Sequence, residues 1–239
     1  MVLRSLPIFF LILLSKCLYS QNAFEFSLGY VHDRNLDNPG LNILIMDPPI
    51  IDNRYSYHIH FRYERQFKKC VFGLAGLRLT IRKFNYHHPW SRSVYGDFMH
   101  HTLELPAGVR FKKQLSDNLK LRFDVEGGFN YVLTADRKTL YADNQPGNHF
   151  QLLKRRQWSP FLQSGFGWET RISHQSYLSV FMSYQVQLKP LFRYRLFNSL
   201  GFDVYGREIY THNLSFGVTY TFAMKTKWSG APAAQPGKN

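Results

Sequence analysis

Between residues 55 and 64 the chain reads Tyr-Ser-Tyr-His-Ile-His-Phe-Arg-Tyr-Glu. Tyr55, Tyr57, Ile59, Phe61 and Tyr63 alternate with Ser56, His58, His60, Arg62 and Glu64. A period of two is that of an extended strand, whose successive side chains leave opposite faces of a sheet. One segment therefore presents an apolar face and a charged face, and the fold must provide a separate environment for each.

The same alternation returns along the chain. Phe24, Phe26, Leu28 and Tyr30 share one face, as do Leu77, Leu79 and Ile81. Leu103, Leu105, Ala107, Val109 and Phe111 oppose Thr102, Glu104, Pro106, Gly108 and Arg110. Leu119, Leu121, Phe123 and Val125 oppose Lys120, Arg122, Asp124 and Glu126, and Phe129, Tyr131 and Leu133 continue that apolar face. Two further segments run over 158–172 and 177–188, and a last one from Tyr210 to Phe222. The pattern predicts about eight strands, each near the 9–11 residues of a tilted membrane-crossing strand.

The connections predicted near 31–54, 83–98, 134–156 and 189–208 are long, whereas those near 66–69, 112–118 and 173–176 are short and polar. Outer-membrane barrels show this asymmetry, with short turns in the periplasm and longer loops outside. A soluble sandwich also alternates, turning charge to water and apolar side chains to a second sheet. The loop asymmetry, the long strands and an aromatic content of 17% favour lipid outside and charge inside. A mean hydropathy of −0.32 excludes a helical membrane protein. The expected fold is all-β, a transmembrane antiparallel up-and-down β-barrel of about eight strands in the cell outer membrane. In lipid the sheet must close, because each unpaired backbone group at an open edge costs several kcal/mol.

The longest apolar run, Leu6 to Leu14, follows Arg4 and precedes Ser20-Gln21. It is shorter than the roughly 20 residues of a spanning helix and reads as a secretory signal. The expected organisation is a signal peptide at 1–20, a barrel at 21–222 and a Lys-, Ala-, Pro- and Gly-rich periplasmic tail at 223–239, expected to be disordered. Cys17 as a lipidated cysteine is the alternative at the start, and Lys16 before it disfavours that. A tail acting as a basic arm toward peptidoglycan or a periplasmic protein is the alternative at the end. After cleavage Cys70 is the one cysteine left, so no internal disulfide is expected.

His101-Thr102-Leu103-Glu104-Leu105-Pro106 with Gly108-Val109-Arg110-Phe111, and then Glu126-Gly127-Gly128-Phe129-Asn130-Tyr131-Val132-Leu133, resemble the PorT-like outer-membrane β-barrel family. There a Leu-Glu-Ile-Pro strand precedes one with paired glycines at its centre. The resemblance implies an outer-membrane barrel, usually without enzymatic activity, and some relatives take part in protein secretion. No residue here carries that secretion role over. The last strand, ending at Phe222, looks like the aromatic-terminated strand read by barrel-assembly machinery, although a tail follows it.

The predicted inward faces hold Arg62, Arg78, Arg82, Arg110 and Arg122 against Glu25, Glu64, Glu104, Asp124 and Glu126. A lumen of eight strands is just wide enough for side chains to fill, so these groups are expected to pair as a charge network, not to line a pore. His58 and His60 share a face and are candidate metal ligands, while His87-His88 and His100-His101 are poorer pairs. No metal and no cofactor is expected. Ser91, Ser93, His87 and Asp97 in one predicted loop fit no catalytic spacing, so no enzyme is expected.

The formal net charge is +14. Basic residues crowd the predicted connections: Arg65 to Lys69, Lys112-Lys113, Lys154-Arg155-Arg156, and Arg193, Arg195 and Arg207. An exported barrel rarely meets nucleic acid, so lipopolysaccharide phosphates are the expected counterions of Lys154, Arg155 and Arg156. The expected role is structural or one of interaction with an envelope protein partner. An accessory subunit of a secretion or transport complex is the runner-up, and a loop-site enzyme is a third.

Overall fold

The computed structural model describes residues 22–35, 50–87, 94–134, 137–141, 149–197, 200, 203–209 and 211–224. Both the expected signal segment and residues 225–239 of the expected tail lie outside these.

Eight strands close into one antiparallel barrel in the order β1-β12-β9-β8-β5-β4-β3-β2. These are β1 (Asn22–Asn35), β2 (Ile50–Lys68), β3 (Val71–His87), β4 (Val94–Gln114), β5 (Leu119–Val132), β8 (Trp158–Arg171), β9 (Ser176–Gln187) and β12 (Thr211–Met224). The first and last strands seal the wall, with Phe26 opposite Tyr220 and Gly29 opposite Gly217. The expected barrel class and strand number are therefore observed. β12 runs two residues past Phe222, to Met224.

The alternation dictates what each face meets. Phe61, Phe129, Leu162 and Val180 are each more than half exposed on the outside. Ser56, His58, His60, Arg62 and Glu64, which lie between the outward residues of β2, are buried. An apolar exterior around a polar interior is the reverse of a water-soluble core, and in water it would be a very large exposed hydrophobic surface. It fits a solvent of acyl chains.

The long connections are only partly loops. Residues 134–156 contain β6 (Arg137–Tyr141) and β7 (His149–Lys154), and residues 189–208 contain all of β10 (Phe192–Phe197) and all but the last residue of β11 (Asp203–Ile209). These form a second, four-stranded sheet in the order β11-β10-β7-β6. Each of its strands adjoins a barrel strand in the chain: β11 leads into β12, β10 follows β9, β7 leads into β8 and β6 follows β5. The order thus repeats β12-β9-β8-β5, and half of the wall continues past the membrane. The other half grows by length alone. β2, β3 and β4 have 19, 17 and 21 residues, well beyond the roughly 9–11 a crossing strand needs. The expected connections at 31–54 and 83–98 accordingly shrink to 36–49 and 88–93. Arg193 and Arg195 lie on β10, Arg207 on β11 and Lys154 on β7, and all four had been assigned to loops.

Candidate functional site

The lumen and its mouth hold the residues of chemical interest. On β4 the inward positions Lys112, Arg110, Glu104, Thr102 and His100 are all buried and run from the short-turn end to the mouth. They give the interior its axial order.

Nearest the turns, Lys112 Nζ lies 2.8 Å from Glu64 and 2.9 Å from Glu169. The sequence predicts Lys112 in a basic connection between strands. β4 extends to Gln114 and parity turns Lys112 inward, so it is a buried member of the network instead.

Arg110 comes next and is the hub. Its Nε donates to Asp124 Oδ1 at 2.6 Å, its Nη2 to Asp124 Oδ2 at 2.7 Å, and its Nη1 to Glu64 at 2.6 Å and to Glu25. The fork on Asp124 follows from register, because Arg110 and Asp124 are direct cross-strand partners and a guanidinium matches a carboxylate in two parallel bonds. Arg62 reaches Glu25 at 3.3 Å, Asp124 at 3.2 Å and also Glu126. Arg122 lies 3.6 Å from Glu25 and donates to Ser179 and Thr219, each at 3.2 Å.

Closer to the mouth, Arg78 donates to Glu104, Gln163 and Gln185, each at 2.6 Å. Arg82 Nε lies 3.1 Å from Asp33 and its Nη2 3.4 Å from Glu104. Asp33 had fallen within an expected loop. Because β1 continues to Asn35, it occupies an inward position instead.

The ten charged residues expected on the inward faces, Arg62, Arg78, Arg82, Arg110, Arg122, Glu25, Glu64, Glu104, Asp124 and Glu126, are all buried in the lumen. Sequence reasoning missed Asp33, Lys112 and Glu169, whose inward parity was the available signal. Six Lys or Arg and seven Asp or Glu are buried among the described residues. The chain as a whole carries 30 and 16. The network is close to neutral, and the surplus of basic charge lies outside it.

Above the ions the filling turns apolar. The Phe161 ring lies 5.7 Å from the Arg78 guanidinium carbon. Phe192 meets His100 edge-on at a centroid distance of 4.5 Å. Val31, Val132, Phe161, Leu191 and Phe192 are each 3% exposed or less. The backbone N–H groups of Arg155 and Arg156 donate to the Leu191 carbonyl at 2.7 and 3.2 Å. Ser159 Oγ donates to the Lys189 carbonyl at 2.6 Å. Residues 189–192 are thereby tied to the start of the neighbouring β8, and Phe192 reaches over to His100 on β4.

His58 and His60 are buried on one inward face as expected. Their surroundings are aromatic and cationic: Phe181 lies 5.9 Å from His58, and Arg62 Nη2 lies 3.4 Å from His60 Nδ1. No group of three or more metal-ligating side chains occurs among the described residues. His87 and Asp97 lie on β3 and β4, whereas Ser91 and Ser93 are outside the described residues. Arg155 and Arg156 are exposed beyond β7, and Arg155 pairs with Glu208 at 3.2 Å. Lys154 Nζ reaches the Thr134 carbonyl at 3.5 Å.

No family model matches the chain, and no curated protein sequence does. Solved structures do. The outer membrane protein OprG from Pseudomonas aeruginosa aligns over 86% of this chain and 96% of its own, with a TM-score of 0.51 and 10% identity. The outer membrane protein AlkL, solved in lipid bilayers, aligns over 89% and 93% with a TM-score of 0.45 and 13% identity. A major outer membrane protein from Thermus thermophilus aligns over 84% and 99% with a TM-score of 0.43 and 11% identity. At such identities the likeness is one of fold. Taken with the apolar exterior and the sealed wall, the likeness to OprG gives the chain the fold of a small eight-stranded outer-membrane β-barrel.

Proposed function

We propose that the protein is a filled, non-conducting outer-membrane barrel with a structural or interaction role, whose raised outer rim is its contact surface. The observation that carries this reading is the filled lumen. Three tiers of ions occupy the interior, the two nearer the turns joined through Glu64, and Phe161, Leu191 and Phe192 are buried with them. The role is non-enzymatic in this reading, since the buried carboxylates are engaged with the buried Arg and Lys side chains.

The rim is the natural meeting place for an envelope partner, because β6, β7, β10 and β11 lift a sheet past the membrane on one side. Lipopolysaccharide phosphates are the proposed counterions of Lys154, Arg155 and Arg156. Arg155 shares its charge with Glu208, which leaves Arg156 the strongest of the three. Barrel-assembly machinery is the partner proposed for insertion. Kinship with the PorT-like family rests on the resemblance of the segments 101–111 and 126–133, which here pair as β4 and β5 with Pro106 opposite Gly128. An accessory role in secretion or transport follows from that kinship alone and is the second reading.

Photo-crosslinkers placed at Arg193 and Glu208 in intact cells test the proposal. A discrete neighbouring protein or lipopolysaccharide adduct is expected. A rim that captures nothing specific, in a barrel that passes solutes, would overturn it.

A further inference from the structure

Part of the surplus positive charge lies at the end opposite the rim. Lys68 and Lys69 flank the β2–β3 turn, Lys113 precedes the β4–β5 turn and Arg171 precedes the β8–β9 turn, and all four are exposed. The acids nearest in the chain do not neutralise them. Glu64 and Glu169 point inward at Lys112, and Asp117 is the one exposed acid on these turns. Arg171 instead donates to the Ser173 carbonyl at 3.3 Å. Two more cations at this end lie over aromatic rings, Arg65 at 6.0 Å from Phe67 and Lys120 at 4.4 Å from Tyr177.

Two features of the placement identify the partner. Going around the barrel order, the three turns join alternate pairs of neighbouring strands, so the cations are spread along the circumference, where the barrel meets the lipid around it. Each also borders the lipid-facing surface. Phe67 beside Lys68, Leu115 two residues after Lys113, and Ile172 beside Arg171 are 63%, 50% and 59% exposed. A cation one or two residues from an acyl-contacting side chain stands at the depth of the headgroup phosphates.

We infer that the short-turn end is a collar for anionic phospholipids, in which Lys68, Lys69, Lys113 and Arg171 bind headgroup phosphates of the leaflet that meets these turns. The inference rests on the barrel spanning a bilayer and is independent of whether the lumen conducts. A membrane-adjacent Lys or Arg gains about 1 kcal/mol from an anionic surface, which is about fivefold in lipid partitioning per cation.

The test uses the full barrel in phosphatidylcholine vesicles with and without phosphatidylglycerol. The midpoint of heat unfolding is read as loss of the compact band on an unheated gel, and retained lipid is counted by native mass spectrometry. The wild type is expected to unfold at a higher temperature with phosphatidylglycerol and to carry that lipid into the gas phase. The K68Q/K69Q/K113Q/R171Q variant is expected to lose both effects while still migrating as a folded barrel. Because every substituted side chain is exposed, folding is expected to survive; raising the salt on the wild type is the parallel test, and it should erase the shift. The inference is overturned if the wild type shows no shift, if the variant keeps it, or if soluble glycerol phosphate in pure phosphatidylcholine vesicles reproduces it.

Discussion

The imidazole of His58 lies flat against Gly29 of the neighbouring strand, so that a Cβ on that glycine would fall 2.6 Å from Nε2 and 2.5 Å from Cε1. The two residues are direct cross-strand partners, and the missing side chain of one makes room for the other. Gly76, whose direct cross-strand partner is Arg62, makes room in the same way for His60, which lies diagonal to it, at 2.8 Å. Inward glycines in this lumen are seats for larger neighbours.

Gly29→Ala therefore forces His58 off its seat or pushes the strands apart, also against the Phe216 carbonyl at 2.9 Å. Overpacking of this kind costs about 1–3 kcal/mol. In urea unfolding from lipid vesicles, G29A is expected to lose that much, and G29A/H58A to lose less than the two single changes added together. Strict additivity would show that the two side chains do not compete for space.

Arg110→Met removes the group that holds Glu25, Glu64 and Asp124 together, leaving buried carboxylates with fewer partners. Removing one member of a buried ion network costs about 3–5 kcal/mol. Arg122→Met is expected to cost clearly less, since the carboxylate nearest Arg122, Glu25, is 3.6 Å away and its hydrogen bonds go to the Ser179 and Thr219 hydroxyls. The same unfolding assay ranks the two variants, and an equal loss would contradict the role of Arg110 as hub.

The division between what could and could not be read from the sequence follows from parity. Where polar and apolar residues alternate cleanly, as from Ser56 to Glu64, both faces and the ion network were legible. Where three apolar residues run together, as in Val180-Phe181-Met182, parity is hidden, and the inward position of Phe181 was not seen; Phe161 beside Leu162 is a similar case. Phe181 is seated by Gly217, whose Cβ would lie 2.8 Å from its ring. That complementarity depends on the β9–β12 pairing and has no local signature. The rim sheet does alternate, with Arg193 and Arg195 set among Phe192, Tyr194 and Leu196. Its strands are only 5–7 residues long, too short to cross a bilayer, so their alternation carries no signal of a crossing strand. Lys112 and Asp33 were missed for a related reason, since each lies where a strand outlasts the membrane.

Phe192→Ala empties the contact with His100 and loosens the segment over the mouth. Large-to-small changes at buried aromatic positions cost about 3–5 kcal/mol, and here the loss is expected to be local to the β10–β11 hairpin. Limited trypsin digestion should cut faster at Arg193, Arg195 or Arg207, with the heat-dependent gel shift of the barrel unchanged. Unaltered digestion would mean that Phe192 does not hold the hairpin down.

The central claim, that ions and aromatic side chains fill the lumen from turn to mouth, is tested most directly by recording the wild-type protein in planar bilayers after its insertion has been verified by the heat-dependent gel shift. The filled lumen predicts a membrane that stays at baseline conductance at either polarity. Steady, large unitary openings would contradict it.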